Sequence, residues 1–405
     1  MARCRYGTGG ELLQFHFENQ SIDVNRRELC RGGALIPIEP QVFDVLVYLV
    51  QNRDRVVSKD DLIASVWGGR IVSESTLTSR INAARKAIGD SGGEQRLIRT
   101  IARKGIRFVG EVMGEALNDP PKSARTDLRQ EIQFCTTADG VRIAYAAVGN
   151  GPPLMKTGHW LTHLEFDWES PVWTHFLHKM AAEHRLIRYD KRGSGLSDRD
   201  IENFSLDAFV SDLESVVEAA GPTRFPLLGM SQGCAISVAY AIRHPERVTH
   251  LVLYGGFARG VRKRGDQQAI ERADALQTLM LHGWGQENPA FRQIFTTRFV
   301  PDGTPDQVQW FNDLQRMTTS PENAARIRKA VDEIDISALL PQVRVPTLVL
   351  HCRDDAAVPF EEGRRLAAGI PGAHFVALEG RNHVILKDDP GWQRLFDEIR
   401  EFIRS

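Results

Sequence analysis

The sequence feature that most constrains this chain is the pentapeptide Gly-Met-Ser-Gln-Gly at residues 229–233. It follows a run ending in Phe-Pro-Leu-Leu that predicts a buried strand, and it precedes residues 234–241, which predict a helix packed on a sheet. Strand, sharp turn and helix are the context of a nucleophile elbow, which holds Ser231 in a strained conformation at the carboxyl edge of the sheet. Glycines two residues to either side suit this turn, because a Cβ there would collide with the adjoining strand or helix.

The other two groups of a catalytic triad are expected later in the chain, in the order acid, then histidine. Residues 345–351 are apolar and β-branched and predict a strand, and Asp354 and Asp355 leave its end. Of 12 histidines, His383 is the one in a glycine-led loop that follows both the elbow and the acid. We predict that Ser231 attacks a carbonyl, that His383 transfers the proton, and that an aspartate holds the imidazolium.

From about residue 131 to 405, two thirds of its length, the chain resembles an α/β-hydrolase. Besides the elbow, residues 190–197 (Asp-Lys-Arg-Gly-Ser-Gly-Leu-Ser) match that family's turn after a preceding strand, and residues 157–160 (Thr-Gly-His-Trp) match its oxyanion loop. The resemblance implies that the backbone N–H groups of His159 and Gln232 are the oxyanion donors.

The resemblance also decides between the two adjacent aspartates. The family's acid stands three positions after the residue occupied here by Cys352 and four before the closing proline, which is Asp355. A strand alternates its side chains, so Asp354 and Asp355 cannot both face His383. No cofactor is implied, and no metal site is expected.

Residues 257–335 depart from the alternation of strands and helices and predict mainly helices with many large apolar side chains. Such an insertion resembles a cap over the active site with an apolar inner wall. The basic run at residues 259–264 (Arg-Gly-Val-Arg-Lys-Arg) is interpreted as a solvated hinge, with a role in holding an acidic substrate or DNA left as the alternative.

The two ends of the chain differ in net charge. The net charge is −1, but residues 1–112 carry 17 lysines and arginines against 13 aspartates and glutamates, which favours a polyanion as partner of this end. The composition, 42% hydrophobic and 25% charged, is that of an ordinary globular protein. With no long apolar run, no signal-peptide pattern and five scattered cysteines, the sequence predicts a cytoplasmic protein with reduced thiols and no membrane partner.

Residues 15–35 predict short strands, and residues 40–50, 59–67 and 76–88 predict three helices. On the third helix, the apolar residues at helical spacing, which predict its core face, are Leu77, Ile81, Ala84 and Ile88. The polar and basic residues expected to point outward are Thr76, Ser79, Arg80, Asn82, Arg85 and Lys86. Two short strands follow around a basic hairpin tip that contains Arg103 and Lys104.

Residues 1–112 resemble the winged-helix effector domain of OmpR/PhoB-type regulators, including the hairpin that ends in Arg-Lys-Gly-Ile-Arg-Phe. One departure is Ile106, where that family usually has an aromatic residue. The resemblance implies that the third helix enters the major groove of double-stranded DNA, and that the tip of the hairpin supplies further contacts. Residues 113–130, which contain two adjacent prolines, predict a linker.

The predicted fold class is α/β: an N-terminal winged helix-turn-helix domain (α+β), followed by an α/β-hydrolase fold with a mostly parallel sheet and a helical cap. The function predicted from these features is a DNA-binding regulator whose hydrolase-like domain binds, and hydrolyses, a small ester-like or lactone-like molecule. One alternative is a plain hydrolase that its winged helix tethers to DNA or a partner. Another is a sensor that binds its ligand without turnover. The sequence leaves homodimerisation open.

Overall fold

The computed structural model of this chain describes residues 14–24, 26–53, 55–67, 74–101, 104–112 and 130–404. The chain divides into two compact units, Met1–Arg125 and Thr126–Ser405. The predicted linker at 113–130 lies outside the described residues, apart from Gln130.

The described part of the first unit begins with an antiparallel sheet and continues with three helices and a hairpin. The strands of the sheet, which pair in sequence order, are β1 (Gln14–Phe17), β2 (Gln20–Asp23), β3 (Glu28–Arg31) and β4 (Ala34–Ile36). The helices are α1 (Pro40–Gln51), α2 (Lys59–Trp67) and α3 (Glu74–Ala87). The hairpin strands are β5 (Ile98–Ile101) and β6 (Gly105–Phe108).

Helix α3 packs against α1 through the residues that its helical spacing predicts. Leu77, Ile81, Ala84 and Ile88 are all buried, which confirms the predicted core face of this helix. At the start of α2, the N–H of Asp61 donates to Ser58 Oγ at 3.0 Å, and this hydrogen bond caps the first turn of the helix.

The second unit, described over residues 130–404, is built on an eight-stranded sheet with the order β14-β13-β12-β11-β9-β10-β8-β7. Its strands are β7 (Glu131–Thr136), β8 (Arg142–Val148), β9 (Pro153–Lys156), β10 (Arg185–Tyr189), β11 (Phe225–Met230), β12 (Val248–Tyr254), β13 (Thr347–Cys352) and β14 (His374–Leu378). Strand β8 pairs antiparallel with β7 and β10, and the remaining pairs are parallel. The core strands are apolar because helices cover both faces of such a sheet, and every residue of β13 is buried.

The helices of the second unit fall into two groups. The helices that connect other consecutive strands, or that come after the last strand, are α4 (Leu164–Trp168), α5 (Thr174–Glu183), α6 (Leu206–Ala220), α7 (Gly233–Arg243), α12 (Phe360–Gly369) and α13 (Trp392–Arg404). Those inserted between β12 and β13 are α8 (Gln267–Gly283), α9 (Ala290–Phe299), α10 (Pro305–Thr318) and α11 (Pro321–Asp332). The predicted fold class is confirmed in both units, and the inserted helices occupy the region predicted as a cap.

Candidate active site and candidate DNA-facing helix

Ser231 forms the sharp turn between β11 and α7. Its φ of +53° lies in the left-handed region, which residues other than glycine rarely adopt. The turn is held by backbone hydrogen bonds: the N–H of Ser231 donates to the Tyr254 carbonyl at 2.9 Å, and the N–H of Cys234 donates to the Ser231 carbonyl at 3.0 Å. A strained serine fixed in this way at the end of a central strand has the geometry of an elbow.

The two glycines around Ser231 are required by close packing. A Cβ on Gly229 would lie 2.6 Å from Ser237 Oγ, and one on Gly233 would lie 2.6 Å from Thr157 Oγ1. Both distances are shorter than any ordinary contact of a Cβ. A larger residue at Gly229 would push β11 away from α7, and one at Gly233 would push α7 away from the loop that follows β9.

Asp355 and His383 are hydrogen bonded in the buried loops that follow β13 and β14. His383 Nδ1 lies 2.7 Å from Asp355 Oδ2. The other oxygen, Oδ1, accepts from the N–H groups of Ala357 at 2.8 Å and Val358 at 2.9 Å. Burial opposes ionisation of Asp355, but the attraction and hydrogen bond of His383 outweigh it, so the pKa of this carboxyl lies below its ordinary value.

His383 is fixed by its backbone as well as by Asp355. Its N–H donates to the Phe299 carbonyl at 2.9 Å, and the two rings pack edge to face at 5.5 Å. Because Nδ1 faces Asp355, Nε2 is the ring nitrogen left for proton exchange. The side chain of Asp354 is exposed to solvent.

The two residues predicted to donate to the oxyanion, His159 and Gln232, are both buried. The His159 ring stacks on Trp173 at 4.8 Å. Burial, followed by the charges of Lys156 and Lys191, lowers the pKa of His159 well below its ordinary value, so this ring is uncharged. Gln232 is anchored through its side chain, because its Oε1 accepts from Lys191 Nζ at 2.6 Å.

Lys191 is a residue of this site whose role sequence reasoning missed. It is fully buried, between the rings of Trp160 and Phe209 at 5.9 Å and 5.0 Å, and burial lowers its pKa to about 7. Its position in the Asp-Lys-Arg-Gly turn was visible in the sequence. Its partner Gln232 lies on another strand-to-helix turn, so their contact depends on the assembled sheet.

The three candidate triad residues line a cavity of about 830 Å³ beneath the inserted helices. Ser231, Gln232, Asp355 and His383 line it together. A second, small pocket of about 20 Å³ is lined by Ser231, His383 and His159, and mainly by aromatic and aliphatic side chains. The site therefore offers a wide chamber and a narrow one, each of which contacts Ser231.

The cap side of the large cavity is partly apolar, with Leu276, Leu279 and Phe295 among its residues. The expectation of an apolar wall is nevertheless wrong for the part formed by α9 and α11. The charged side chains that line the cavity include Arg298 on α9, Arg328 and Asp332 on α11, and Arg264, which precedes α8. Spacing along the helices did not reveal them, because arginine also occurs on exposed faces.

In the first unit, α3 exposes a stripe of polar side chains. Its exposed members, spaced three or four residues apart, are Thr76, Ser79, Asn82 and Lys86. Residues at this spacing share one face of a helix. Arg80 is partly buried and pairs with Glu39, which precedes α1.

The expectation that Arg85 points outward is wrong. Arg85 is buried, and its Nε donates to the Ile98 carbonyl at 2.9 Å. Its two terminal nitrogens donate to Asn82 Oδ1 at 3.0 Å and Thr100 Oγ1 at 2.8 Å. The guanidinium thus joins α3 to the hairpin, since β5 covers the side of the helix that would otherwise face solvent.

At the hairpin, Lys104 is exposed, whereas Arg103 lies outside the described residues. Ile106, which stands where an aromatic residue was expected, is buried, and its backbone pairs with Val57. Over the described residues, no group of three or more His, Cys, Asp or Glu side chains could hold a metal ion. No helix in the described part of the chain is long and apolar enough to cross a bilayer.

The chain belongs to the α/β-hydrolase fold family, because residues 164–390, more than half of its length, match that family's model. Residues 33–108 match the model of the transcriptional regulatory protein C-terminal domain. Both predicted resemblances are therefore confirmed. The chain combines a transcription-regulator domain, which implies DNA binding, with a hydrolase-fold domain.

The relatives of the hydrolase-fold domain include esterases. The AB hydrolase superfamily protein YisY of Bacillus subtilis (strain 168) is 28% identical over 264 residues, covering 62% of this chain and 91% of that protein. The pimeloyl-(acyl-carrier protein) methyl ester esterase of Nitrosomonas europaea is 28% identical over 240 residues, covering 58% and 90%. The crystal structure of the esterase RhEst1 from Rhodococcus sp. ECU1013 is 28% identical with a TM-score of 0.56, covering 68% and 98%.

Proposed function

We propose that this chain is a DNA-binding transcription regulator whose hydrolase-fold domain binds and hydrolyses a small ester-like or lactone-like molecule. The single observation that carries the proposal is that the hydrogen-bonded pair Asp355–His383 and the strained Ser231 line one large cavity together. Esterases among the relatives of this domain support an ester as the substrate class.

In the proposed reaction, Ser231 Oγ attacks the ester carbonyl carbon while His383 Nε2 takes the hydroxyl proton. The charge that develops on the carbonyl oxygen is stabilised by the backbone N–H groups of His159 and Gln232. The same proton passes to the leaving alcohol, which leaves an acyl group on Ser231. Water, deprotonated by His383, then releases the acid and restores the serine.

Asp355 and Lys191 are proposed to support this reaction without touching the substrate. Asp355 stays ionised because its pKa is low, and its charge stabilises the imidazolium that forms on His383. Lys191 holds the side chain of Gln232, and so fixes the turn that presents the Gln232 N–H.

The proposed domains are residues 1–112 for DNA binding and 131–405 for the hydrolase fold, with a linker at 113–130 and a cap at about 257–335.

The regulatory part of the proposal requires that the ligand changes DNA affinity. A ligand does so only when it has different affinities for the DNA-competent and DNA-incompetent forms of the protein. A covalent fluorophosphonate adduct on Ser231 is therefore expected to change the Kd for a duplex selected from a random-sequence pool. A coupling of about 1–3 kcal/mol corresponds to about 5- to 150-fold. The measurement is fluorescence anisotropy of labelled duplex before and after modification.

Ser231→Ala is the matched control, because it cannot take the adduct, and fluorophosphonate treatment should leave its DNA affinity unchanged. An adduct that forms on the wild type yet leaves the Kd unchanged would contradict the coupling and favour a hydrolase tethered to DNA. Folded wild-type protein that takes no adduct would favour a sensor without turnover.

The exposed stripe of α3 is proposed to contact DNA through Thr76, Ser79, Asn82 and Lys86, with Arg80 beside it and Lys104 at the hairpin. Lys86→Ala is expected to reduce the slope of log Kd against log salt concentration by about one, because one phosphate contact and its released counterion are lost. Arg26→Ala, in the exposed turn between β2 and β3, is the matched control and should keep the slope. Equal slopes for wild type and Lys86→Ala would contradict this contact.

A further inference from the structure

We propose that the large cavity takes a ligand that carries a carboxylate, and that Arg298 is the residue that binds this group. The inference deepens the proposed function, on which it rests, by giving the class of ester. It follows from the position, the hydrogen bonds and the charge environment of Arg298.

Arg298 stands in the last turn of α9 and lines the same cavity as Ser231 and His383. One terminal nitrogen, Nη2, donates to the Ala357 carbonyl at 3.2 Å. Ala357 also donates its N–H to Asp355, so Arg298 is attached directly to the loop that carries the acid. This contact fixes one edge of the guanidinium and leaves its other N–H groups for a ligand in the cavity.

The other arginines around Arg298 already have acidic partners. Arg328 forms a 2.9 Å ion pair with Asp332, and Arg272 lies 3.9 Å from Asp266. Arg264 lies 4.0 Å from Glu362, a carboxylate that Arg259 contacts more closely, at 3.2 Å. In contrast, no carboxylate in the described part of the chain forms an ion pair with Arg298. Of the arginines that line the cavity, Arg298 is therefore the one for which the described residues provide no carboxylate at ion-pair distance.

Arg298 remains charged at neutral pH in spite of its surroundings. Burial, followed by repulsion from Arg328, lowers its pKa only to about 10. A poorly solvated cation of this kind gains strongly from an anionic ligand, because the pair is shielded from water. A planar guanidinium matches a carboxylate in particular, through paired N–H donors.

An arginine that has no ion-pair partner of its own suits a carboxylate, which can form one bidentate pair with it. The acidic groups that also line the cavity, Asp266, Asp332 and Asp355, would repel a dianionic phosphate more strongly than a carboxylate. The carboxylate can belong to the acyl part of the ester or to its alcohol part. Both arrangements place the ester carbonyl near Ser231 and the charged end in the wide chamber.

The experiment compares kcat/KM for matched anionic and neutral esters. For the acyl side the pair is mono-4-nitrophenyl glutarate and 4-nitrophenyl butyrate, and for the alcohol side it is 4-acetoxyphenylacetate and phenyl acetate. In one of the two pairs, the anionic-to-neutral ratio is expected to fall at least about tenfold in Arg298→Gln, since hydrogen bonds to charged groups are strong. The change should lie mainly in KM, and Arg298→Lys should restore part of the ratio.

Arg316→Gln is the matched control, because Arg316 is exposed on α10 and does not line the cavity. It should leave both ratios unchanged. If Arg298→Gln hydrolyses neutral esters and keeps the wild-type ratio in both pairs, the inference is overturned while the hydrolase function stands.

Binding without turnover separates the inference from the proposed function. Monomethyl glutarate and 4-acetoxyphenylacetate are titrated calorimetrically into Ser231→Ala and into Ser231→Ala with Arg298→Gln. At least tenfold weaker binding of one of them to the double variant supports the carboxylate site even if the wild type hydrolyses no ester. Equal binding to both variants, or binding to neither, contradicts it.

Discussion

Ser231→Ala is expected to lower kcat for short activated esters by about 10⁴-fold or more, because the group that forms the acyl bond is lost. The residual rate comes from the oxyanion donors and from substrate binding, which the substitution leaves in place. The measurement is the release of 4-nitrophenol from 4-nitrophenyl acetate, together with labelling by a fluorophosphonate. The variant should remain folded, because alanine removes a single hydroxyl oxygen and keeps the Cβ of the turn.

Ser215→Ala serves as the matched control for this experiment. Ser215 lies on α6, and its hydroxyl donates within that helix to the Ser211 carbonyl at 3.0 Å, outside the residues that line the cavity. Its activity should equal that of the wild type. Folded wild-type protein that is inert to both the ester and the fluorophosphonate would refute the hydrolase assignment and leave a ligand sensor on the same fold.

The elbow could be predicted from the sequence because its constraints are local. A serine at positive φ between a strand and a helix leaves no space for a Cβ at Gly229 or Gly233. These requirements all fall on five consecutive residues, so the sequence alone shows that they are met. The core face of α3 was predictable for a similar reason. Leu77, Ile81, Ala84 and Ile88 must share one side of any helix that contains them.

The errors concern side chains whose surroundings come from distant parts of the chain. Helical spacing placed Arg85 among outward residues, but β5 packs beside α3 and supplies the Ile98 carbonyl as an acceptor. In the same way, Arg298 acquires its position from Ala357, 59 residues away in sequence. Periodicity gives the direction of a side chain within its own element, but it does not say which other element covers that direction.

The second prediction with a large expected effect distinguishes two adjacent carboxylates. Asp355→Asn is expected to lower kcat by about 10⁴-fold, because a neutral amide no longer stabilises the imidazolium and no longer fixes the His383 tautomer. Asp354→Asn should stay within a few-fold of the wild type, because the side chain of Asp354 is exposed and the carboxylate bonded to His383 is that of Asp355. The measurement is kcat for the same activated ester, with folding checked by circular dichroism.

The dependence of folding stability on pH gives a second way to compare the two aspartate variants. The lowered pKa of Asp355 means that its folded form holds the proton less tightly than the unfolded chain, so its contribution to stability is present above the ordinary aspartate pKa and is lost as pH falls through the lowered value. Asp355→Asn removes this contribution, and its stability should therefore fall short of the wild type most clearly at neutral pH and least in strong acid. Asp354→Asn should follow the wild type throughout. A larger loss of activity in Asp354→Asn than in Asp355→Asn would contradict the assignment, because the carboxylate acting on His383 would then belong to the neighbouring position.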